Sequence, residues 1–438
     1  MNSSSDQHLS TDTVYDRYQL CDEIEPLLVY DEQKNTALIL INIHHTRQIS
    51  AHHGFDSAFE LLNQIKEGLQ PYVKDNCRVL RSGNHEFTLL LQNIDNPGHC
   101  QLALTSLERK LNNKNHVSKH FSTKTSLTIS GALYPTHAVT AEQLIQCAEI
   151  AMYQAEQNRL DYCMYSQKLS SRIERQLTIE SALDSAIAEQ QIAVWYQPKI
   201  NIADGTLYGV EALARWQTEK DGFISPEIFI PIAERSILIK ELTQWVLNTS
   251  LRQLKEWERI GLQINCAINI SGRVVDDDEF IDLIEHTTGI WGLKPKQITL
   301  EITETSVMES FESNMTKLRH LKSLGFQVSM DDFGTGYSSL EYFKNLPVNE
   351  VKIDKSFVMN MMENDADRKM VSMIAGLSRA FGLKIVAEGV ENEGALSALK
   401  SLGVHRAQGY HIAKPMPESD FLTWADFYLT NLELNNNV

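Results

Sequence analysis

The chain has 438 residues, of which 42% are hydrophobic and 22% are charged, and its formal net charge at pH 7 is −17. This length suits two domains with ample cores, and the composition is typical of a globular protein. The acidic balance argues against a nucleic-acid polymer as partner, because such binding relies on clustered Lys and Arg side chains. Any phosphate ligand is therefore expected to be small and bridged to the protein by metal ions.

The six cysteines and the two ends of the chain bear on its compartment. The cysteines are scattered without a CxxC pair, which favours reduced thiols and a cytoplasmic protein. The start has no basic segment followed by an apolar core, and no window approaches about 18 uninterrupted apolar residues, so no membrane insertion is expected. The polar ends predict a disordered tail over 1–13 and a second tail over 429–438.

Residues 14–166 alternate strand-like and helix-like runs. The runs "TALILINI", "FTLLLQNI" and "SLTISGALYP" predict buried strands, and "AFELLNQIKEGLQPYV" and "AEQLIQCAEIAMYQAEQN" predict amphipathic helices. This pattern favours an α+β domain with one mixed sheet. The following segment, 167–190, has apolar residues at near-helical spacing and no Pro or Gly, which predicts a helix that connects two domains.

From Ile192 onward, short strand-like runs recur with helical stretches between them. The runs are "IAVWYQPKI", "YGVEALARW", "INCAINI", "QITLEIT", "FQVSMDDF", "EVKID", "KIVAEGV" and "RAQGYHI". Eight such runs over about 240 residues predict an α/β domain, a TIM-type (β/α)8 barrel. In a barrel of this kind, catalytic groups come from the carboxyl ends of several different strands.

The carboxyl ends of these predicted strands carry acids, amides and one lysine that are expected to meet at one rim. The set is Glu211, Asn269, Glu301, Glu304, Asp331, Asp332, Lys352, Asp354, Glu388, Glu391 and Gln408. A single Asp or Glu after a strand is most often a helix N-cap, but six strand ends that converge favour a functional site. The adjacent pair Asp331 and Asp332 would repel each other unless a cation lies between them. Oxygen ligands suit Mg²⁺ or Mn²⁺, and two such ions are the usual machinery for displacement at a phosphodiester.

Seven short motifs in the second half form an ordered series. "EALARW", "NIS", "EITE", "DDFGTGYSSL", "KIDKSF", "AEGVE" and "QGY" resemble, in this order, the motifs of the EAL-domain phosphodiesterases, which hydrolyse cyclic di-GMP. The resemblance covers residues 177–428 and implies hydrolysis to linear pGpG with two Mg²⁺ or Mn²⁺ ions in each active site. Two alternatives stay open: a receptor that binds cyclic di-GMP without cutting it and signals through the first domain, and an interaction scaffold.

The resemblance also implies a role for each matching residue. It assigns metal ligation to Glu211, Asn269, Glu301, Asp331, Asp332 and Glu388. Among the catalytic residues, Lys352 would position the attacking water, Glu388 has also been viewed as a general base, and Glu304 would brace the "DDFGTGYSS" loop, where Gly334 and Gly336 permit sharp bends. It assigns substrate contacts to Gln197, Pro198, Leu213, Arg215, Asp354, Glu391 and Gln408.

The first domain resembles a different family. "RSGNHEFTLLL", with "ALILINIHHTRQI" before it and "SLTISGALYP" and "AEIAMYQAEQNRLDYCMY" after it, resembles the diguanylate cyclases of the GGDEF family over 14–165. This chain departs from the family pattern at three places. Asn42 and His85 stand where the family has metal-binding acids, and Ser50 and Phe59 stand at the positions that read guanine. Lys74 and Cys77 stand in place of the inhibitory RxxD motif. These departures predict a degenerate domain that cannot synthesise cyclic di-GMP.

The first domain also contains a group of five histidines. His44, His45, His52, His53 and His85 lie near the degenerate site, but their spacing matches no closed zinc pattern, so solvated histidines are the favoured interpretation. Barrels of the EAL family often dimerise, which makes a homodimer through the EAL domain one expectation. Any input signal would act through the cyclase-like domain, the N-terminal tail or an unidentified protein partner.

Overall fold

The computed structural model describes residues 9–31, 33–72, 77–112, 115–117, 122–124, 126–218, 222–309, 311–334 and 345–436. The chain divides into two compact units, Met1–Leu177 and Thr178–Val438. Lys74, Gly336 and most of "DDFGTGYSSL" lie outside the described residues. Within the described ranges, none of the helices has the length and apolar character needed to span a bilayer.

The first unit contains a sheet and its covering helices. Its strands are β1 (Leu9–Val14), β2 (Asn35–Ile43), β3 (Cys77–Gly83), β4 (Glu86–Ile94), β5 (Asn115–Val117), β6 (Ser122–Lys124), β7 (Leu127–Tyr134) and β8 (Tyr162–Met164). Its helices are α1 (Arg17–Ile24), α2 (Thr46–His53), α3 (Phe55–Leu69), α4 (Pro97–Asn112) and α5 (Ala141–Gln157), with 3₁₀ turns at Glu25–Leu27 and Gln70–Tyr72. Helix α6 (Gln167–Ala188) spans the division at 177, where the sequence predicts a connecting helix over 167–190.

The sheet of the first unit is mixed, as the sequence predicts, and has the strand order β1-β3-β4-β2-β7-β8. Successive side chains of β2 point to opposite faces of the sheet, and nearly all of them are buried, so both faces of the strand are covered. Its Leu38 and Leu40 pack in one apolar core with α1 and α5, and its Ile39 and Ile41 pack in another with α3 and α4. The hairpin β5–β6 forms a separate two-stranded sheet.

The predicted tail over 1–13 is wrong for its last residues, because Leu9–Val14 forms strand β1. This strand pairs in parallel with β3, with Leu9 opposite Val79. The segment "LSTDTV" has no apolar run that would mark it as a strand. Its order comes from the free hydrogen-bonding edge of β3, a tertiary feature that the local sequence does not contain.

The second unit is a barrel with surrounding helices. Its strands are β9 (Ile192–Asn201), β10 (Leu207–Thr218), β11 (Gly222–Ile224), β12 (Asn265–Asn269), β13 (Ile298–Thr303), β14 (Gln327–Phe333), β15 (Glu350–Ile353), β16 (Lys384–Ala387) and β17 (Arg406–Ala407). Its helices are α7 (Pro226–Arg235), α8 (Leu238–Arg259), α9 (Gly272–Val275), α10 (Phe280–Trp291), α11 (Glu304–Glu309), α12 (Phe311–Ser323), α13 (Lys355–Asn360), α14 (Asp365–Ala380), α15 (Glu393–Ser401) and α16 (Glu418–Asn436), with a 3₁₀ turn at Pro295–Gln297.

Eight of these strands close into the predicted barrel, in the order β9-β10-β12-β13-β14-β15-β16-β17 and back to β9. Strand β9 departs from the (β/α)8 pattern, because it runs antiparallel to both of its neighbours, β10 and β17. A short connection of residues 202–206 joins β9 to β10, so no helix separates the first two strands. The other ring strands are parallel and place their carboxyl ends at one rim.

The predicted tail over 429–438 is also wrong for most of its length, since helix α16 continues to Asn436. The hydroxyl of Tyr428 donates to the Gly205 carbonyl oxygen at 2.7 Å. Leu432, one turn later, lies against the same glycine, and a Cβ atom at Gly205 would be 3.3 Å from its Cδ1. These contacts with the β9–β10 connection stabilise the last turns of α16, although the sequence there is mostly polar.

Candidate active site

The parallel strands bring one buried lysine among four carboxylates at the carboxyl rim of the barrel. Lys352 on β15 is fully buried, and Glu301 on β13 is 1% exposed. The Lys352 Nζ lies 2.6 Å from Glu388 Oε1, 2.7 Å from Glu301 Oε2, 3.1 Å from Asp331 Oδ2 and 3.5 Å from Glu211 Oε2. We call these five residues the Lys352 cluster.

The register of the strands explains why these side chains meet. Asn269 lies opposite Glu301, and Thr303 lies opposite Asp331. Since side chains alternate along a strand, Glu350 shares the interior face of β15 with Lys352, one layer nearer the amino end. Glu350 pairs there with Arg406 of β17, which lies two residues before Gln408. The barrel interior is thus polar in two successive layers.

A backbone irregularity places both aspartates at the rim. The pairing of β14 with β15 shifts register between Met330 and Phe333, and Asp332 has a positive φ of 52°. A bulge of this kind turns a side chain that would otherwise face away. Ligand oxygens of Asp331, Asp332 and Glu388 lie within 4.8 Å of one another. The sequence prediction that the aspartate pair shares a site is consistent with this geometry.

Two amides fix the carboxylate of Glu211. The Asn269 Nδ2 donates to Glu211 Oε1 at 2.7 Å, and the Gln408 Nε2 donates to Glu211 Oε2 at 2.7 Å. The Gln408 Nε2 also donates to Gln197 Oε1 at 2.8 Å, and the Gln197 Nε2 donates to the Ala413 carbonyl oxygen at 3.0 Å. Glu211 is therefore held in one orientation. The buried Gln408 Oε1 has no hydrogen-bond partner among the described residues.

The electrostatic environment divides the acids into two groups. Burial opposes the ionisation of Glu211, but Lys352, Lys199 and the two amides outweigh it and lower its pKa to about 2. Burial and the charge of Glu211 raise the pKa of Glu301 to about 7. Burial likewise raises the pKa of Glu388, and burial together with Asp331 raises the pKa of Asp332 to about 6. Lysines alone therefore do not compensate the negative charge of the site.

Other predicted residues lie beside the cluster. Glu304 is buried at the start of α11, and its Oε2 accepts from the Gly334 backbone nitrogen at 3.2 Å. This contact agrees with the bracing role that the resemblance implies. Asp354 caps α13 by accepting from the Ser356 backbone nitrogen at 3.0 Å, which is the ordinary role of an acid at a helix start.

A cavity of about 510 Å³ opens above the cluster. Its walls include Leu213, Arg215, Glu391 and Tyr410, and its floor includes Glu211, Glu388 and Gln408. The Arg215 guanidinium lies 5.8 Å from the centre of the Trp195 ring. Among the predicted substrate contacts, Pro198 is placed differently, because it alternates with Gln197 along β9 and pairs with Val210 of the apolar core.

Three residues of the site do not come from the strand-end pattern. Lys355 and Tyr410 line the cavity. Lys355 belongs to the motif "KIDKSF" and Tyr410 to the motif "QGY". Lys199 is the third, and its Nζ donates to Glu301 Oε1. The signal for Lys199 is a charged residue inside the strand-like run "IAVWYQPKI", which sequence alone does not assign to the barrel interior.

The first unit contains a second polar cavity near the residues that the sequence compares with a cyclase. The Asn42 Nδ2 donates to Glu156 Oε1 at 2.6 Å, and the His44 Nε2 lies 2.7 Å from Thr128 Oγ1. Burial and the charges of Arg47 and Arg81 lower the pKa of His85. Among the described residues, none of the five histidines belongs to a group spaced for metal binding.

Comparisons with known proteins agree with this architecture. The family model for the EAL domain matches residues 180–415, and the model for the diguanylate cyclase GGDEF domain matches residues 11–161. The chain is 32% identical over 393 residues to the bifunctional diguanylate cyclase/cyclic di-GMP phosphodiesterase MucR of Pseudomonas aeruginosa, covering 89% of this chain and 57% of that protein. It is 28% identical over 417 residues to the cyclic di-GMP phosphodiesterase PdeR of Escherichia coli, covering 94% of this chain and 62% of that protein.

A solved structure also resembles the barrel unit. The structure described as the PaMucR phosphodiesterase in complex with c-di-GMP matches with a TM-score of 0.54 and 37% identity, covering 56% of this chain and 99% of that one. The chain spans only 57% and 48% of the length of the first two curated relatives. The ordered motifs, the barrel with its carboxylate rim and the matching family model lead to one conclusion: this chain belongs to the EAL domain family, with a GGDEF domain preceding the EAL domain.

Proposed function

We propose that the barrel unit hydrolyses cyclic di-GMP to linear pGpG, and that the reaction depends on Mg²⁺ or Mn²⁺. The observation that carries this proposal is the Lys352 cluster at the carboxyl rim, with Asp332 and Asn269 beside it and an open cavity above it. Catalytic groups of a barrel occupy this rim. The cyclic di-GMP complex of a 37% identical EAL structure supports the choice of ligand.

The donor set suits a divalent cation. The proposed ligands are oxygen donors, which Mg²⁺ and Mn²⁺ prefer: Glu211, Asn269, Glu301, Asp331, Asp332 and Glu388. Burial raises the pKa of Glu388 and Asp332, so these acids would release protons when a cation binds to their carboxylates. When bound, two such ions would lower the pKa of a water molecule and offset charge at the phosphodiester.

Lys352 acts on the water and on the charge that develops at phosphorus. Its ammonium donates to Glu301 and Asp331, so it is held at a fixed point of the rim. A preorganised cation at this point can orient the attacking water and stabilise the developing negative charge. Glu388, which lies 2.6 Å from the Lys352 Nζ, is within reach of the same water and is the proposed general base for it.

The cavity walls provide the substrate contacts. The Arg215 guanidinium, which is partly buried beside Glu211, offers paired donors to a phosphate. The unpartnered Gln408 Oε1 can accept a hydrogen bond from the ligand or from a water molecule. Leu213, Asp354 and Glu391 remain proposed contacts, and Gln197 acts by holding Gln408 in place.

We infer that the first unit is a regulatory or dimerisation module rather than a cyclase. A cyclase needs carboxylates to bind the metal that activates its substrate. Asn42 and His85 occupy those positions, and Asn42 is engaged by Glu156. A cytoplasmic location, where GTP-derived messengers occur, agrees with six free cysteines in the described part of the chain.

One assay tests the proposed activity. The full chain is incubated with cyclic di-GMP and Mg²⁺ or Mn²⁺, and the products are separated by chromatography, with Asp331→Asn as the inactive reference. Linear pGpG formed by the wild type alone supports the proposal. Tight binding of cyclic di-GMP without any product would instead support the receptor alternative.

A further inference from the structure

Lys199 is a buried lysine whose ammonium group lies inside the barrel and pairs with a glutamate there. The residue is 2% exposed, and its Nζ donates to Glu301 Oε1. The other carboxylate oxygen of Glu301, Oε2, accepts from the Lys352 Nζ at 2.7 Å. Each oxygen of Glu301 is therefore held by a different lysine.

The path of Lys199 to Glu301 crosses the barrel interior. Strands β9 and β13 are not neighbours, since β10 and β12 lie between them in the ring. Lys199 pairs with Gly209 of β10, which has no side chain, and a Cβ atom there would lie 2.3 Å from the Asn265 carbonyl oxygen. A side chain at this position would collide with the backbone of β12, so β10 carries glycine opposite Lys199. Breaking this buried ion pair is costly, because no water is available to solvate the separated charges.

We propose that Lys199 is a positioning residue that restricts Glu301 to coordination through one oxygen, and that it thereby makes the site select Mg²⁺ or Mn²⁺ over Ca²⁺. This inference rests on the proposed function, since it concerns the ions required there. Mg²⁺ is small and demands near-octahedral geometry, whereas Ca²⁺ takes about six to eight oxygens and often binds a carboxylate through both of them. The Lys352 Nζ is shared among four carboxylates, so a cation can compete with it for Glu301 Oε2. The Lys199 Nζ pairs with Glu301 Oε1 and keeps that oxygen from the two-oxygen contact that favours Ca²⁺.

Charge and geometry can be separated by comparing the two ions. Removal of Lys199 deletes a positive charge near the site, which strengthens the attraction of any divalent cation. This electrostatic gain is about the same for Mn²⁺ and Ca²⁺, because both carry two charges. The ratio of their dissociation constants therefore reports the coordination geometry rather than the charge.

The test is calorimetric titration of the full chain with MnCl₂ and with CaCl₂, in the absence of any dinucleotide. The substitution is Lys199→Met, which keeps the length of the side chain and removes the ammonium. We expect the ratio Kd(Ca²⁺)/Kd(Mn²⁺) to fall by about tenfold or more, the size of effect seen when a group that orients a metal ligand is lost. Should Lys199→Met fail to fold, Lys199→Leu, which also lacks a donor, provides the same comparison.

Arg406→Met is the matched control. Arg406 is another cation inside the barrel, paired with Glu350 one layer below the cluster. Its removal should leave the ratio at the wild-type value. An unchanged ratio in the Lys199 variants, or an equal change in Arg406→Met, overturns the inference. A wild type that hydrolyses cyclic di-GMP but shows either result leaves the proposed function intact, whereas a wild type that binds neither ion and forms no pGpG removes both.

Discussion

Lys352 and Glu388 form a buried ion pair at the mouth of the barrel, with 2.6 Å between Nζ and Oε1. The lysine side chain is fully enclosed, and the carboxylate is 18% exposed. Burial opposes the charge on Lys352, but Asp331, Glu211, Glu301 and Glu388 outweigh it and raise its pKa. The ammonium is therefore the cation that these acids share, and its loss has consequences both for folding and for catalysis.

Lys352→Met should destabilise the protein strongly when no divalent ion is present. Removal of one partner of a buried pair leaves uncompensated carboxylates and costs about 3–5 kcal/mol. Addition of Mn²⁺ should restore more stability to the variant than it adds to the wild type, since the ion replaces the missing positive charge. Thermal unfolding with and without Mn²⁺ measures both effects.

Lys369→Met is the control for this measurement. Lys369 pairs with Asp365 on the exposed surface of α14, where both side chains are 77% exposed. Such a surface pair contributes little to stability. Equal losses in the two variants, or a loss in Lys352→Met that Mn²⁺ does not reduce, would show that Lys352 does not compensate the acids.

The same substitution should separate turnover from binding. Lys352 is proposed to contact the attacking water rather than the nucleotide, so its interaction forms mainly in the transition state. Turnover should fall by roughly 10²-fold or more, as when one preorganised electrostatic group is removed. Affinity for cyclic di-GMP, measured in Ca²⁺ to prevent hydrolysis, should change little. Loss of binding with normal turnover of the bound fraction would make Lys352 a ligand anchor.

Asp331→Asn should remove metal binding and turnover together. Asp331 belongs both to the Lys352 cluster and to the group that it forms with Asp332 and Glu388, so its carboxylate is common to the two groups. Mn²⁺ affinity is expected to fall by about 10–100-fold or more, with hydrolysis lost in parallel. Calorimetry with MnCl₂ and chromatography of products give the two readings. Asp365→Asn, on the exposed face of α14, should match the wild type in both, and a normal Mn²⁺ affinity in Asp331→Asn would contradict the assignment.

The strand-end rule explains what the sequence can predict about this site. Glu301, Asp331 and Lys352 lie near the carboxyl ends of parallel strands, which places them at one rim. Glu211 reaches the same level because β10 pairs with β12 only over Gly209–Ala212. Lys199 escapes the rule because β9 runs in the opposite direction, which depends on strand pairing across the ring. A lysine within an apolar run gives no local sign that its partner is a glutamate on a distant strand.

The chain ends show the same limit from a different cause. "LSTDTV" and the end of α16 contain mostly polar residues, so hydrophobic periodicity predicts neither the strand nor the helix. Each segment is ordered by one tertiary partner, the edge of β3 for Leu9–Val14 and Gly205 for Tyr428. The apolar strand β2, by contrast, is predicted correctly because its burial on both faces produces a continuous apolar run.

The first unit should form no cyclic di-GMP from GTP. The amide of Asn42 is bonded to Glu156, and His85 offers an imidazole where the cyclase needs a carboxylate. The measurement uses Glu211→Ala, which lacks a proposed metal ligand and so cannot degrade the product, incubated with GTP and Mg²⁺ or Mn²⁺. Accumulation of cyclic di-GMP in this variant would show that the GGDEF domain is active despite its departures from the family pattern.

The stability of the first unit should decrease in mild acid because of His137. Its Nδ1 accepts from the Leu133 backbone nitrogen at 3.1 Å, and its ring packs edge-on against Tyr165. Burial lowers the pKa of His137 from 6.5, so the folded protein favours the neutral ring and the unfolded chain takes up a proton more readily. This contribution to stability is complete above pH 6.5 and is lost as the pH falls below that value.

His137→Asn tests this dependence, because the Asn Oδ1 can accept the same hydrogen bond and does not titrate. The drop in unfolding temperature between pH 7.5 and pH 5.5, about one unit on either side of the ordinary histidine pKa, should be smaller in His137→Asn than in the wild type. His99→Asn, which replaces a histidine with a side chain that is 51% exposed, is the control and should keep the wild-type drop. The same drop in all three proteins would mean that protonation of His137 does not weaken the fold, and that other groups cause the acid sensitivity.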